Sequence, residues 1–325
     1  MKVINQFING KEYISKSDRF GDVFNPTNGE KTKKVSFANS EDVKVAIECA
    51  VEAGKKWAAT PPLTRSRVFF RFKDLIMRDM DQLALELTSE HGKILSDSAG
   101  SITRGMEVVE FACGIPHLLK GEYSENVGSD IDSWSMRQPL GVSVGISPFN
   151  FPAMVPMWMF VISIACGNSF ILKPSEKDPT VPYMLAELLK EAGLPDGVFN
   201  VINGDKEAVD LLITDPAVDS VSFVGSTPVA EYIYHTSSKH NKRVQSLGGA
   251  KNHMVVMPDA DLDQVVDGLI GAGYGSAGER CMALSVAVAV GDVGDKLIEK
   301  LTPRVQNLKV GPGTDPEVEM GPLIS

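Results

Sequence analysis

An α/β fold built on a doubly wound parallel sheet is predicted by three observations. From position 141 onward the apolar runs Gly141 to Ile146, Ser169 to Leu172, Val198 to Ile202 and Val218 to Val224 alternate with helix-length amphipathic segments. Right-handed strand–helix–strand crossovers produce that pattern. No charged residue falls between Arg137 and Lys173, and Asn150 with prolines 148, 152 and 156 breaks the stretch, so it reads as strand, turn, helix and strand in a buried core. The 325 residues are 43% hydrophobic, enough for a sizeable core and for two domains, or one with an elaboration.

Charge and cysteine usage narrow the class. With 32 basic against 42 acidic residues the net charge is -10, which argues against a phosphate-coating, nucleic-acid-binding surface. Cys49, Cys113, Cys166 and Cys281 are scattered without CxxC or Cys/His spacing, so neither a metal site nor a disulfide framework is expected and a reducing compartment fits. Residues 1–18 lack a basic segment followed by an apolar run. The expectation is therefore a cytoplasmic protein without a membrane partner.

The elements follow in order. Gln6 to Tyr13 carries Asn9-Gly10, a tight-hairpin signal. Ser40 is placed to cap a helix with Val43, Ile47, Ala50 and Val51 on its apolar face. A second helix follows Pro61-Pro62 with Val68, Phe72, Leu75 and Ile76 inward. A third carries Leu83 and Leu87, with His91 at its end or on the surface, and a fourth runs from about Ser98 to Leu119. Arg104 lies in that fourth helix, where it can snorkel or pair with Glu107 or Glu110.

Residues 121–137 change texture. Gly128 and the alternation Ile131-Asp132-Ser133-Trp134 predict an extended hairpin with one apolar face, suited either to oligomer contact or to packing on its own domain. Beyond it the strand ends of the α/β region carry the candidate ligand residues, because ligands bind at the carboxyl ends of such strands. Phe223-Val224-Gly225-Ser226-Thr227 opens a helix whose N–H groups can hold a phosphate. Lys173 and Glu176 follow another strand, placed for the hydroxyls of a ribose or as a charged turn. In Pro148-Phe149-Asn150-Phe151-Pro152, prolines and aromatics fix an amide that can stabilise an oxyanion.

Gly278-Glu279-Arg280-Cys281-Met282-Ala283 lies between a helical stretch and the strand candidate Leu284 to Val290. A cysteine in such a turn, beside a basic residue, is placed to act as a nucleophile; the alternative is a small side chain packed under the strand.

Taken together, Pro148 to Pro152, Lys173 to Glu176, Phe223 to Thr227, Leu247-Gly248-Gly249 and Gly278 to Cys281, in this order and spacing, resemble the aldehyde dehydrogenase superfamily over essentially the whole chain, to Met320-Gly321-Pro322-Leu323-Ile324. Two departures resemble its CoA-acylating methylmalonate-semialdehyde subgroup. Ser246 stands where most hydrolytic members carry a water-activating glutamate, and a serine is no general base near neutral pH. Gly249-Ala250-Lys251-Asn252-His253 and Arg280 before the cysteine are the second.

The resemblance implies an aldehyde dehydrogenase-like architecture: an NAD-binding domain of residues 1–120 and 138–248, an oligomerisation hairpin at 121–137, and a second α/β catalytic domain beginning at 249. It implies that the catalytic domain continues beyond a position like Ser325, and that the protein is a homodimer or homotetramer. Cys281 and Asn150 are then catalytic. Arg104 and Arg280 bind the carboxylate of a small semialdehyde, and Ser147, Phe149, Lys173, Glu176, Gly225, Ser226, Leu247 and Gly248 bind NAD. Coenzyme A is the co-substrate, and propionyl-CoA or acetyl-CoA with CO2 the product. A hydrolytic aldehyde dehydrogenase and an inactive dinucleotide-binding fragment are the alternatives.

Overall fold

The computed structural model describes residues 1–325. The N-terminal strands are β1 (Lys2–Ile4), β2 (Gln6–Ile8), β3 (Lys11–Tyr13), β4 (Phe20–Asn25) and β5 (Glu30–Ser36). Asn9 and Gly10 both take left-handed φ in the β2–β3 turn, as the Asn-Gly signal predicts. β1, β5 and β4 form a small satellite sheet over Ile4, Val23 and Val35.

Four helices and a short turn of helix follow: α1 (Ser40–Ala58), α2 (Pro62–Arg78), α3 (Met80–His91), α4 (Leu95–Cys113) and α5 (Ile115–Leu118). The cap of α1 is Asn39, one residue before the expected Ser40. Its side chain accepts from the Asp42 N–H while Asp42 accepts from the Asn39 N–H, and serine at 40 has no such reciprocal partner. The expected fourth helix ends at Cys113 instead of reaching Leu119, because Gly114 interrupts it just before Pro116. Gly92, at φ +93°, ends α3 in the left-handed conformation that glycine adopts without strain.

The hairpin is β6 (Tyr123–Gly128) and β7 (Ile131–Trp134), and every residue of both strands is exposed. It does not pack on its own domain. The α/β region then runs β8 (Val142–Ile146), α6 (Met154–Ala165), β9 (Ser169–Lys173), α7 (Thr180–Glu191), β10 (Phe199–Val201), α8 (Lys206–Thr214), β11 (Val218–Val224), α9 (Thr227–Lys239) and β12 (Arg243–Leu247).

These strands form one sheet in the order β12-β11-β8-β9-β10-β2-β3, parallel from β12 to β10 with the N-terminal hairpin completing it antiparallel. Order reverses about β8, the mark of a doubly wound sheet. α2, α3, α4, α6 and α7 pack one core around Phe69, Phe72, Phe160 and Phe170, and α1, α8 and α9 pack another around Val144, Ile171, Leu212 and Ile233. β8 and β9, buried at every position, read as continuous apolar runs for that reason.

After β12 the chain leaves this sheet. β13 (Asn252–Val256), α10 (Leu262–Tyr274) and β14 (Leu284–Ala289) form a parallel pair with its crossover helix, and α11 (Val293–Gln306) adds to the separate small core around Val256, Val266 and Leu297. No helix is long and apolar enough to cross a membrane.

Candidate active site

The parallel register brings four strand ends level. Ile146 pairs with Lys173 on one side and Phe223 on the other, and Val224 pairs with Leu247. A cleft of about 600 Å³ opens there, lined by Ser147, Phe149, Lys173, Glu176, Gly225 and Ser226 among others. Leu247 and Gly248, singled out with them, do not line it. They sit one strand further out, where the Leu247 carbonyl accepts the Gly225 N–H at 3.1 Å.

Within the cleft, Lys173 is buried and its Nζ donates to the Gly204 carbonyl at 3.0 Å, with Glu176 Oε2 at 3.5 Å. Burial pushes its pKa down, and Glu176 partly offsets this. Ser226 precedes α9 in an extended conformation and makes no side-chain cap. Pro228 has no N–H and the Ala230 N–H donates to the Ser226 carbonyl at 2.9 Å, which leaves the N–H groups of Thr227 and Val229 at the cleft without an internal partner, a setting that binds anionic groups.

The nucleophile candidate is held differently. Between α10 and β14 the chain makes a 3-10 turn, Gly275–Gly278, in which Ser276 and Ala277 take φ +52° and +53°. Two consecutive non-glycine residues in the left-handed region are costly and persist only where other contacts fix them. Asp97 of α4 supplies those contacts, accepting from the Ser276 N–H at 2.9 Å and from Arg280 Nη2 at 2.5 Å. Asn252 of β13 donates to the carbonyls of Cys281 at 2.8 Å and Ala283 at 3.1 Å. Cys281 itself is exposed, which removes the reading of a side chain packed under a strand.

Arg280 is consequently not a free cation. Its guanidinium is paired with Asp97, and its side chain is 28% exposed. Arg104 is exposed on α4, 3.4 Å from Glu107. Asp97 and Arg104 are seven residues apart on α4, which places them on one face about 10 Å apart. Arg104 and the Arg280–Asp97 pair thus belong to the same side of that helix.

The turn between α3 and α4 joins the two halves. His91, expected at the helix end or on the surface, is the last residue of α3 and 1% exposed. The α3 end tucks beneath both loops, so its ring lies 6.2 Å from that of Phe149 and its Nε2 3.6 Å from Glu279 Oε2. Burial, helped by the charge on Lys93, pushes the imidazole pKa down to about 2, so the ring is neutral and this approach is not an ion pair. Burial also raises the Glu279 carboxyl. Lys93 Nζ donates to the Asn150 carbonyl at 2.7 Å. The α3–α4 turn thus bonds the Asn150 loop through Lys93 and lies against Glu279 of the Cys281 loop through His91, with no hydrogen bond at the second contact.

Ser246 settles its own geometry: its Oγ donates to the Ala230 carbonyl of α9 at 2.7 Å. Asp97, Lys93, Asn252 and Glu279 were not singled out as site residues. Nothing in local spacing marks Asp97 or Lys93, whose partners lie far along the chain. Asn252 and Glu279 sit inside motifs already quoted for the resemblance.

A strand-end cleft opening onto a helix N-terminus, in a doubly wound parallel sheet, defines an α/β protein of the kind that binds ligands at the carboxyl ends of its strands. Comparison with known proteins gives the family: the model of the aldehyde dehydrogenase family matches residues 13–325, and the chain belongs to it. It is 55% identical over 326 residues to the malonate-semialdehyde dehydrogenase of Pseudomonas aeruginosa, covering 100% of this chain and 65% of that protein. To the acylating, mitochondrial methylmalonate-semialdehyde dehydrogenase of Arabidopsis thaliana it is 48% identical over 325 residues, covering 99% of this chain and 53% of the relative. A solved structure from Sinorhizobium meliloti, described as a methylmalonate-semialdehyde dehydrogenase complexed with NAD, superposes with a TM-score of 0.98 at 55% identity, over 100% of this chain and 66% of that one. The chain thus spans about two thirds of the length of the bacterial relatives it matches, and about half that of the plant protein.

Proposed function

We propose that the protein oxidises a small carboxylated aldehyde, malonate or methylmalonate semialdehyde, with NAD, and that the acyl group passes through a thioester on Cys281 to coenzyme A. The observation that carries this reading is that one turn meets both loops, Lys93 bonding the Asn150 carbonyl and His91 lying 3.6 Å from Glu279 of the exposed Cys281 turn, with Ser246 turned away into α9. The names of the relatives support the substrate class.

The cleft residues fit NAD. Ser226 and the N–H groups of Thr227 and Val229 at the start of α9 stand ready for a pyrophosphate, Lys173 and Glu176 stand in the same cleft for a ribose, and Ser147, Phe149 and Gly225 close the walls. Leu247 and Gly248 act one strand out, by supporting Gly225. Bound there, NAD supplies the hydride acceptor. Glu176 disfavours a 2'-phosphate by charge repulsion, so NAD is preferred over NADP.

The chain's own groups do the rest. Cys281 Sγ, as thiolate, adds to the aldehyde carbonyl, and the Asn150 amide and the Cys281 N–H take the negative oxygen. Loss of hydride leaves the thioester. Ser246 offers no base for water, whereas the thiol of coenzyme A is nucleophilic enough to discharge the thioester without one. Arg280, oriented by Asp97, and Arg104 receive the substrate carboxylate; it leaves as CO2, the enolate carbon so formed takes up a proton from solvent, and transfer to coenzyme A gives acetyl-CoA or propionyl-CoA with the Cys281 thiolate released.

In this reading residues 1–120 and 138–248 form the cofactor domain, the catalytic domain starts at 249, and the hairpin 121–137 joins a second copy in a homodimer or homotetramer. Its exposed Tyr123, Val127, Ile131 and Trp134 favour such a contact.

NADH formation from malonate semialdehyde with and without coenzyme A is the test. Sustained turnover only with coenzyme A supports the proposal. Sustained turnover without it indicates a hydrolytic enzyme, and no NADH in either case indicates dinucleotide binding alone.

A further inference from the structure

Lys93 is the only lysine among the largest fully buried side chains, at 1% exposure. Lysine normally lays its stem on apolar surface and keeps its ammonium in water. Here Gly92 turns the chain inward, and the ammonium makes two contacts, both with the same loop: the hydrogen bond to the Asn150 carbonyl and a position 4.3 Å from the centre of the Phe151 ring. One fixes the peptide plane that follows Asn150. The other presses a cation on the face of the next side chain.

We propose that Lys93 is a positioning residue for the reaction, whose charged ammonium locks the Asn150-Phe151 peptide so that the Asn150 amide stays aimed at the negative oxygen. The inference rests on the function proposed above. A buried charge bonded to one neutral carbonyl is expensive for stability alone, and its cost is intelligible if it orients a group that must not swing.

The surroundings make the lock sensitive to pH. Asp97 of α4, Asp178 ahead of α7, Glu279 and Arg280 of the cysteine turn, and His91 beside it all face the ammonium. Burial outweighs the carboxylates and pushes the Lys93 pKa down to about 8. Since the pKa is lowered, the charge is present below that pH and lost above it, and a charge-assisted bond gives way to a weaker neutral one.

The test has two readouts. The first is kcat against pH for NADH formation in the protein, Lys93→Met and Phe151→Leu. Wild type should lose kcat above about pH 8. Lys93→Met should have a kcat about 10- to 100-fold lower without that falling limb, its KM for the aldehyde staying within about twofold. Phe151→Leu, which removes the face that supports the cation, should move the limb to lower pH. The second readout needs no turnover: in protein labelled with 15N-asparagine, the Asn150 side-chain amide signal should shift with a midpoint near pH 8, and should not in Lys93→Met. NADH formation with no limb and no response of Asn150 overturns the inference and leaves the function standing. A titrating Asn150 signal without NADH formation does the reverse. If Lys93→Met does not fold, the wild-type midpoint and its displacement in Phe151→Leu decide; an unmoved midpoint overturns the inference.

Discussion

The strand-end cleft and the cysteine turn are built by different means. In the cleft, Ser147, Lys173, Gly225 and Leu247 owe their positions to backbone ladders of four neighbouring parallel strands, whose register leaves little to any single side chain. The turn has no ladder. It runs through two left-handed residues and is held by Asp97, 183 residues from Arg280, and by Asn252, 29 residues from Cys281. The lesson is that the first region tolerates loss of a side chain and the second does not, because each of its few bonds restrains a strained backbone.

Substitutions in the turn therefore have the larger effects. Cys281→Ala should lower NADH formation by at least about 10⁴-fold while cofactor binding, followed by nicotinamide quenching of tryptophan fluorescence, is retained; measurable steady turnover in that variant would remove the nucleophile assignment. Next in size is Arg280→Ala. Loss of a bond to a charged substrate group should reduce kcat/KM for malonate semialdehyde about 10- to 100-fold, well beyond the smaller loss for propanal that loosening of the turn brings. Asp97→Ala is the contrasting case: by releasing Ser276 as well as Arg280 it should depress both aldehydes together. Equal losses for both aldehydes in Arg280→Ala would mean that Arg280 only braces the turn.

On the cleft side the expected effects are smaller. Glu176→Gln removes one partly exposed charge near Lys173, and should narrow the preference for NAD over NADP by about tenfold or less without lowering kcat with NAD. A loss of NAD turnover as large as that of Arg280→Ala would show that the cleft, too, hangs on single side chains.

The same contrast explains what the amino-acid sequence reveals. Apolar runs at β8, β9 and β11, glycine at 225 and proline at 148 and 152 are local signals, so the sheet and most of the cleft lining were legible. Leu247 and Gly248 enter as cofactor residues through the family resemblance alone, and the fold seats them one strand beyond the cleft lining. The bounds of α1 and α4 turned on single residues, Asn39 with its Asp42 partner and Gly114. Of the two places open to His91, the helix end holds and the surface does not, because nothing around position 91 announces that two loops from positions 149 and 279 cover it. Asp97 and Lys93 were invisible for the same reason: their meaning lies in partners that only the folded chain brings near. Arg104 and Arg280 became candidates through family resemblance, and only the fold adds that Asp97 holds Arg280 on the face of α4 that carries Arg104.

The claim at the centre is the thioester on Cys281 that water does not release. Incubating the protein with NAD and malonate semialdehyde without coenzyme A, quenching, and measuring intact mass and peptide mass tests it in one step. The account predicts one equivalent of NADH with an acyl group on the peptide containing Cys281, lost when coenzyme A is added. Continued NADH production with free acid accumulating and no adduct on that peptide would contradict it.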